Sequence, residues 1–410
     1  MFENLDILFL GRLFSRSNEK EIRSKARVDM QDAANVLQWN LIDGFVANGC
    51  RAMTVVSYLP IDSWPSHYAD AFVKSEVHKI SEDINFHQIG FCNITKVKQI
   101  WNKNICDRAV KAWARKRDGR KKVIVCYTCN NTLMRAVGAA KKVDPDIIVV
   151  QVIADITEFA ANNNPNTIQK MFVQKQIKDN DRLARYIDKY VLLTELMKNK
   201  LGIVKPHMVM EGIVPPREKR DNAAPDEVKT ILYTGSLNKK YGIMELLQAF
   251  ESIRDSDYRL IICGLGNAEE DIKRLAACDP RVDFRGKVAH DEVMKFQSRA
   301  TVLVNPRQNN EEFTKYSFPS KNLEYLSSGI PLVAYKLDGI PDEYDEYINY
   351  VQDDSPESLA AKLVEICSMD EQSRKEMGKR GADFVLKNKN ARVQTRHILE
   401  FLAECSKGEM

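Results

Sequence analysis

One stretch of the chain, residues 302–335, combines side chains that could bind a phosphorylated ligand. The apolar run VLVNP precedes Arg307, and Pro319 then begins a helix that carries Lys321 and Glu324. The amino terminus of such a helix favours an anion, and Lys321 adds a full charge. Lys321 and Glu324 are three residues apart and share a helix face. The lysine can hold a phosphate while the carboxylate accepts hydrogen bonds from vicinal hydroxyls, the groups of a nucleoside diphosphate. A surface ion pair that only stabilises the helix is the alternative.

The remaining sequence predicts the elements that would position these residues. Apolar runs of strand length alternate with helical stretches in both halves, which indicates parallel sheets covered by helices on both faces. We predict an α/β fold of two doubly wound Rossmann-like domains with an interdomain cleft, in which ligands bind at the carboxyl ends of the strands. In the first half the apolar runs are residues 7–10, 53–56, 123–126, 147–152 and 190–193.

Composition within the chain predicts where the domains meet. The segment IVPPREKRDNAAPDEVK has three prolines and eight charged residues, with little to bury, which is typical of a linker. We therefore predict a first domain over residues 1–214, a linker over 215–229 and a second domain over 230–385. Residues 386–410 are predicted to form a C-terminal helix that packs back on the first domain.

The overall composition is that of an ordinary globular protein. Of 410 residues, 44% are hydrophobic and 29% are charged, which excludes a disordered or fibrous chain. No window has the apolar length of a membrane-spanning helix, and the first residues lack the basic start of a signal peptide. Nine scattered cysteines are typical of a reducing compartment. We predict a cytoplasmic protein, with thiol chemistry at Cys126 and Cys129 as a minor alternative.

Basic residues are concentrated between residues 96 and 122. This stretch holds eleven lysines or arginines against two aspartates, although the net charge of the whole chain is only +4. Trp101, Ile105, Val110 and Trp113 recur at intervals near the helical period. An amphipathic basic helix would rest on an anionic bilayer, so we predict peripheral association with the inner face of the plasma membrane. A helix packed on a sheet with a solvated charged face is the alternative, and no motif supports nucleic acid binding.

A family resemblance extends these expectations. The string NPR followed by FTKYSFPSKNLEYLSSGIP resembles the C-terminal domain of GT-B glycosyltransferases, in particular family 4 and its bacterial capsular and exopolysaccharide sugar transferases. The likeness is strong over residues 230–335. In the first 215 residues it depends on architecture and on the strings VIADITEF and YVLLTELM.

This resemblance implies a retaining enzyme of bacterial cell-surface polysaccharide synthesis. The second domain would bind a nucleoside diphosphate sugar, with UDP favoured over GDP, and the first would bind a polyprenyl-linked or polysaccharide acceptor that receives the hexose. No cofactor is implied. We also predict no metal, because Asp144 and Asp146, and likewise Asp255 and Asp257, precede strands and so lie at the wrong edge of a sheet for ligands.

The resemblance also implies roles for individual residues. Glu324 aligns with a glutamate that binds the donor ribose, and loops containing Gly266 and Val288 would line the base. The predicted catalytic residues are Asp155, Arg307 and Lys321. The predicted donor contacts are Gly235, Ser236, Lys240, Gly266, Val288, Tyr316, Ser317, Phe318, Ser320 and Glu324.

The sequence departs from the family pattern at several site positions. Tyr316 stands where many relatives have a first glutamate, and Glu311 or Glu312 could replace it only if the loop folds differently. Ser236 and Tyr241 stand where relatives have arginine and lysine, so we expect Arg307 and Lys321, with Lys239 or Lys240, to supply the missing charge.

The acceptor side departs as well. Ala154 occupies a position that is histidine in many relatives, and Asp155 follows it. Asp155 could orient the acceptor hydroxyl or take its proton, with Glu158 in reserve, or it could simply cap the next helix. These departures leave an alternative function, a catalytically impaired partner subunit that binds a sugar nucleotide for another glycosyltransferase.

Overall fold

The computed structural model describes residues 2–28, 30, 32–156, 158–159, 167–214 and 228–404, without the side chains of residues 96, 99, 100, 167–169 and 172. The chain forms two compact units. Unit 1 comprises Met1–Ile213 and Ala391–Met410, and unit 2 comprises Val214–Asn390. Most of the predicted linker, residues 215–227, lies outside the described residues.

Unit 1 is built on an eight-stranded sheet whose order is β10-β9-β8-β7-β1-β2-β5-β4. Only β4 is antiparallel to its neighbour, and β3 and β6 form a separate small antiparallel pair. The elements are β1 (Leu5–Gly11), α1 (Glu19–Lys25), α2 (Asp32–Ala47), β2 (Ala52–Ser57), β3 (Phe72–Val73), β4 (Glu76–Lys79), β5 (Ile84–Gln88), β6 (Phe91–Cys92), α3 (Thr95–Trp101), α4 (Asp107–Arg115), β7 (Lys121–Tyr127), α5 (Asn131–Lys141), β8 (Ile148–Ile153), α6 (Thr167–Leu183), β9 (Lys189–Leu192), α7 (Leu196–Lys200) and β10 (His207–Val209).

The central strands of unit 1 are buried on both faces. Six consecutive residues of β1, Asp6 to Gly11, are buried, as expected for a parallel sheet with helices on each side. From β1 the chain order runs through β2 and β5 in one direction and through β7, β8 and β9 in the other. The carboxyl ends of β1 and β7 therefore flank a topological switch point, where doubly wound sheets bind their ligands.

The basic stretch does not form the single amphipathic helix that the sequence predicted. It forms two helices, α3 and α4, and the side chains of Val110 and Trp113 are buried against the core of unit 1. The Trp113 indole Nε1 donates a hydrogen bond to Asp6, and Lys122 forms a buried ion pair with the same carboxylate, at 2.9 Å each. The apolar side of α4 covers the sheet because burial of both apolar surfaces is favourable. Of the four apolar residues, Trp101 remains exposed, at 75%.

Unit 2 is built on a six-stranded parallel sheet whose order is β13-β12-β11-β14-β15-β16. Its topological switch point lies between β11 and β14, because the chain order proceeds outward from that pair on both sides. The elements are β11 (Lys229–Thr234), α8 (Ile243–Ser252), β12 (Tyr258–Cys263), α9 (Glu269–Cys278), β13 (Val282–Gly286), α10 (His290–Arg299), β14 (Val302–Asn305), α11 (Ser320–Ser327), β15 (Leu332–Ala334), β16 (Ile348–Tyr350), α12 (Pro356–Ser368) and α13 (Glu371–Asn388).

The last helix, α14 (Ala391–Glu404), belongs to unit 1 and packs on α2. It begins at Ala391 because α13 continues through the predicted boundary at residue 386 as far as Asn388. Asn48 fixes the contact by donating from its side chain to Arg392 O at 2.7 Å and to Thr395 Oγ1 at 2.9 Å. Among the described helices of both units, none has the length and apolar character that crossing a bilayer requires.

Candidate functional site

Helix α11 is held at the switch point of unit 2 by two buried polar contacts. The Tyr325 hydroxyl accepts a hydrogen bond from Thr234 N at 2.7 Å and donates one to Thr234 O at 3.0 Å, which ties α11 to the end of β11. Asn305 at the end of β14 donates to Asn322 Oδ1 at 2.6 Å. Pro319 stands at the N-cap position. The amino terminus of α11 therefore lies beside the carboxyl ends of β11 and β14.

Lys321 and Glu324 form the pair that their spacing predicted. Lys321 Nζ lies 2.9 Å from Glu324 Oε2, and the two side chains are 32% and 22% exposed. Gln297, a buried residue on α10, donates to Glu324 Oε1 at 2.6 Å. Burial acts to raise the pKa of Glu324, but the Lys321 charge and the two hydrogen bonds hold it below its ordinary value. Glu324 is therefore an ionised acceptor in a fixed position.

Arg307 follows β14 after Pro306 and lies on an aromatic support. Its guanidinium carbon is 4.6 Å from the Phe313 ring centroid and 5.3 Å from that of Tyr241. Nη2 donates to Ser317 Oγ at 2.6 Å. Burial lowers the pKa of Arg307, but a guanidinium stays charged in proteins. Its buried Nε has no hydrogen-bond partner among the described residues, so this cation retains donor capacity for an anion.

The loop after β11 brings the aromatic support to Arg307. Gly242 has a φ of +79°, and a Cβ there would lie 1.8 Å from Pro306 O, so only glycine permits this approach. Tyr241 precedes that glycine. Lys240 lies over the same two rings, 5.2 Å from the Tyr241 centroid and 5.1 Å from the Phe313 centroid.

Of the two lysines proposed to add charge, Lys239 is already paired. Its Nζ lies 2.6 Å from Asp271 Oδ2 on α9, and the hydrogen bond from Lys239 is the main cause that lowers the pKa of Asp271. Lys240 is thus the member of the pair whose charge stands beside Arg307.

Backbone contacts join the loops that follow β11 and β12. A Cβ placed on Gly235 would lie 3.8 Å from Lys321 Cε, so this turn adjoins α11. Ser236 is exposed, and its carbonyl accepts from the Tyr233 hydroxyl at 2.8 Å. A Cβ on Gly266 would lie 2.3 Å from the carbonyl carbon of Leu237. The absence of a side chain at Gly266 is therefore needed for the two loops to pack this closely, before any contact with a ligand. Val288 is half-buried against the core of unit 2.

The predicted contacts from residue 316 to 320 differ in their surroundings. Tyr316 ends a short 3-10 helix, Glu312–Tyr316, and is half-buried. Ser317 is engaged with Arg307. The side chain of Phe318 is 5% exposed and packs against Tyr344 at 5.2 Å between ring centroids, which leaves only its backbone for a ligand. Ser320 is exposed at the start of α11.

Asp155 lies at the carboxyl end of β8 in unit 1. It does not cap α6, which begins at Thr167. The residue is exposed, yet desolvation by the surrounding protein raises the pKa of its carboxyl. Glu158, the reserve candidate, is exposed and pairs with Lys200 at 3.2 Å. Neighbouring Thr128 has a φ of 67°, and strained backbone of this kind clusters at functional sites.

The two cysteines considered for thiol chemistry lie in surroundings that disfavour the thiolate form. Burial raises the pKa of Cys126 above its ordinary value and that of Cys129 to about 12. A reactive cysteine needs the opposite shift, because the thiolate is the nucleophile. Within the described residues, no group of three or more His, Cys, Asp or Glu side chains could hold a metal ion.

In a comparison with known protein families, a family model matches most of unit 2. Residues 215–384 match the family model described as glycosyl transferases group 1. The structure resembles a sucrose-phosphate synthase from Thermosynechococcus elongatus, with a TM-score of 0.64, 13% identity and coverage of 98% of this chain and 99% of that one. No curated protein sequence matches the chain.

Two further solved structures are similar over their whole length. HepE from Anabaena, in complex with UDP, has a TM-score of 0.60, 12% identity and coverage of 97% of this chain and 100% of that one. The α,α-trehalose-phosphate synthase (UDP-forming) from Burkholderia xenovorans, in complex with glucose-6-phosphate, has a TM-score of 0.60, 12% identity and coverage of 97% and 99%. The predicted fold class is confirmed. With a group 1 domain in unit 2, the chain is a glycosyltransferase of the GT-B fold.

Proposed function

We propose that unit 2 binds a nucleoside diphosphate sugar at the amino terminus of α11. The observation that carries this proposal is that Arg307, which follows β14, and the Lys321–Glu324 pair of α11 both belong to the switch point between β11 and β14. Lys321 and the amino-terminal end of α11, with its partial positive charge, suit a diphosphate. Arg307 offers a planar fork for phosphate oxygens, and Glu324 accepts from the ribose hydroxyls.

UDP is the favoured nucleotide in this proposal. The HepE structure holds UDP, and the trehalose-phosphate synthase is described as UDP-forming. The two cations and the helix terminus would stabilise negative charge as it develops on the departing diphosphate, a contribution that is large in many enzymes. Transfer of a hexose with retention of configuration is part of the proposal, on the family resemblance. Proton NMR of the first product formed from an α-linked donor tests retention, because inversion would give a β-linked anomer.

Unit 1 binds the acceptor in this scheme, a polyprenyl-linked or polysaccharide chain of the bacterial cell surface. Asp155 is the residue proposed to orient the acceptor hydroxyl or take its proton. Its raised pKa supports a role as base, because a more basic carboxylate binds a proton more readily. The support for a polysaccharide acceptor is the resemblance of the 302–335 segment alone.

Membrane docking is retained as a proposal on a smaller surface. Trp101 is exposed, and Lys103 and Arg108 near it are exposed cations. A tryptophan with cations suits an anionic bilayer surface. Sedimentation with phosphatidylglycerol vesicles tests it. We expect Trp101→Ala to reduce the bound fraction, and equal binding of the variant, or equal binding to neutral phosphatidylcholine vesicles, would reject docking.

A thermal-shift panel of UDP- and GDP-sugars tests the donor site. A ligand at 100 times its dissociation constant stabilises the native state by about 2.7 kcal/mol. Lys321→Ala and Glu324→Ala should each reduce the shift. Lys315→Ala serves as the control, because this exposed lysine lies in the preceding 3-10 helix. An unchanged shift in both site variants would reject the site.

A second candidate function has a specific observation in its favour. Tyr316 and Ala154 stand where many relatives have glutamate and histidine, so the chain could bind the donor and serve as a partner subunit. Turnover by the purified chain alone decides between the two. Release of UDP in the presence of acceptor, without a second polypeptide, supports the enzyme, whereas activity that requires another glycosyltransferase supports the partner subunit.

A further inference from the structure

Arg12 occupies the switch point of unit 1. It follows β1 directly and lies beside the carboxyl end of the adjacent strand, β7. Gln38, a buried residue of α2, accepts from Arg12 N at 2.8 Å and donates to Arg12 O at 2.7 Å. The residue after β2, Tyr58, donates its N–H to Gly11 O at 3.1 Å. The backbone that carries Arg12 is therefore fixed on both sides.

Lys98 of α3 is a second cation at this end of the sheet, and a pair of aromatic rings connects it to Arg12. The rings of Tyr58 and Phe91 meet edge to face with centroids 4.7 Å apart. The guanidinium carbon of Arg12 lies 5.8 Å from the Tyr58 centroid, and Lys98 Nζ lies 5.2 Å from the Phe91 centroid. The two cations thus lie on two halves of one rigid aromatic wall, and each lies close enough to a ring for a favourable cation–π contact.

Neither cation has a carboxylate partner among the described residues. The buried Nε of Arg12 has no hydrogen-bond partner there. Lys98 Nζ donates to Ile61 O at 2.7 Å and to Asn93 Oδ1 at 3.0 Å, which uses two of the three donors of an ammonium group. The charge of the exposed Asp62 acts to raise the pKa of both groups, but Asp62 makes an ion pair with neither.

This arrangement is unfavourable in the unliganded protein. Burial lowers the pKa of Arg12. Burial, and then the charge of Arg12, lower the pKa of Lys98 to about 8. Two desolvated like charges cost stability unless an opposite charge offsets them. Perturbed groups of this kind at the carboxyl edge of a sheet are typical of binding sites.

We propose that Arg12 and Lys98 bind an oxyanion of the acceptor substrate, a phosphate or a carboxylate. The planar fork of Arg12 suits both groups, and the third donor of Lys98 completes the contact. This inference rests on the proposed function in one respect, that unit 1 binds the acceptor. It adds the chemical class of that acceptor, which carries a negative charge.

Isothermal titration calorimetry of the full chain, with UDP at saturating concentration, tests the proposal. UDP occupies the proposed diphosphate site of unit 2, so that phosphate probes report on the remaining sites. The probes are inorganic pyrophosphate, glucose 6-phosphate, glucuronate and neutral glucose. We expect at least one anionic probe to bind at least tenfold more tightly than glucose, because hydrogen bonds to charged groups are the strong ones. The probe that binds best distinguishes a carrier diphosphate, a sugar phosphate and a uronic acid.

Variants connect this binding to the two cations. Arg12→Gln and Lys98→Met should each weaken the best anionic probe by about tenfold or more, with no loss of UDP affinity. Arg51→Gln removes an exposed cation just before β2, at the opposite edge of the same sheet, and should change neither affinity. Arg12→Gln should melt at or above the wild-type temperature, because it removes a half-buried charge that has no carboxylate partner among the described residues, and so it separates binding from folding.

Two results would overturn the proposal. One is an affinity for all three anionic probes no better than that for glucose, and the other is anion binding that survives both Arg12→Gln and Lys98→Met. A failure of the donor proposal looks different, because UDP itself would then fail to bind or would bind independently of Lys321 and Glu324.

Discussion

Replacing Glu324 by glutamine tests the donor site most directly, because it keeps the shape of the side chain and removes its charge. In the structure the carboxylate accepts from Lys321 at 2.9 Å and from Gln297 at 2.6 Å. A carboxylate has about four acceptor positions, so two remain for the two ribose hydroxyls. A hydrogen bond to a charged group contributes about 1.5–3 kcal/mol and a neutral one about 0.5–1.5 kcal/mol.

The expected loss follows from those magnitudes. Two bonds that each change from charged to neutral cost about 2–3 kcal/mol together, which is roughly a 30- to 150-fold weaker affinity for UDP. Calorimetry with UDP and 2′-deoxy-UDP locates the loss on the ribose. The wild-type protein should prefer UDP by about tenfold or more, whereas Glu324→Gln should prefer it by only a few fold.

Two controls separate ribose contact from general damage to the site. Glu251→Gln removes an exposed carboxylate from α8 and should leave both affinities unchanged. Lys321→Met should weaken UDP and 2′-deoxy-UDP by the same factor, because its proposed contact is with phosphate. If Glu324→Gln kept the wild-type preference for UDP over both 2′-deoxy-UDP and 3′-deoxy-UDP, Glu324 would not bind the ribose and the assignment would be wrong.

Three further predictions concern the other charged and thiol groups. Arg307→Lys should weaken UDP by about tenfold but leave uridine unchanged in calorimetry, because lysine cannot form the planar fork; an equal loss for uridine would contradict a diphosphate contact. The raised pKa of Asp155 means that its carboxylate is lost at a higher pH than usual as the medium is acidified. The acid limb of kcat/KM should therefore be displaced upward, and Asp155→Asn should abolish that limb and lower kcat by about 100-fold or more if Asp155 is the base. Cys129→Ser should retain near-normal transferase activity, since burial raises the pKa of this thiol to about 12; loss of activity in a folded variant would favour thiol chemistry.

The fold was predictable because both sheets follow one strong rule. Parallel strands covered on both faces must be apolar without interruption, and runs such as ILYT in β11 and VIVC in β7 have that pattern. The strands β3, β4, β5 and β6 of unit 1 were not predicted. In β5 buried and more exposed residues alternate, and β3 and β6 have two residues each, so their apolar content is too small to distinguish them from loops.

Within the candidate site, only contacts between residues that are close in sequence could be predicted. Lys321 and Glu324 share a helix face because of their spacing, and the structure pairs them. Gln297 could not be found in this way, because it comes from α10 and no local pattern marks a buried glutamine that donates to a distant carboxylate.

The basic stretch, residues 96–122, shows the opposite problem. Its periodicity was real, but Val110 and Trp113 serve the core of unit 1, and periodicity alone cannot tell a core face from a membrane face.

One arrangement of residues in unit 2 accounts for the departures from the family pattern. The resemblance implies cations on the loop after the first strand of unit 2, where this chain has Ser236 and Tyr241. The Tyr241 ring instead supports Arg307, which reaches the same switch point from the adjacent strand β14. Ser317 fixes one end of the fork and the buried Nε lacks a described partner. We therefore propose that Arg307, supported by the Tyr241 ring, supplies from the end of β14 the positive charge that the family resemblance implies for the loop after β11.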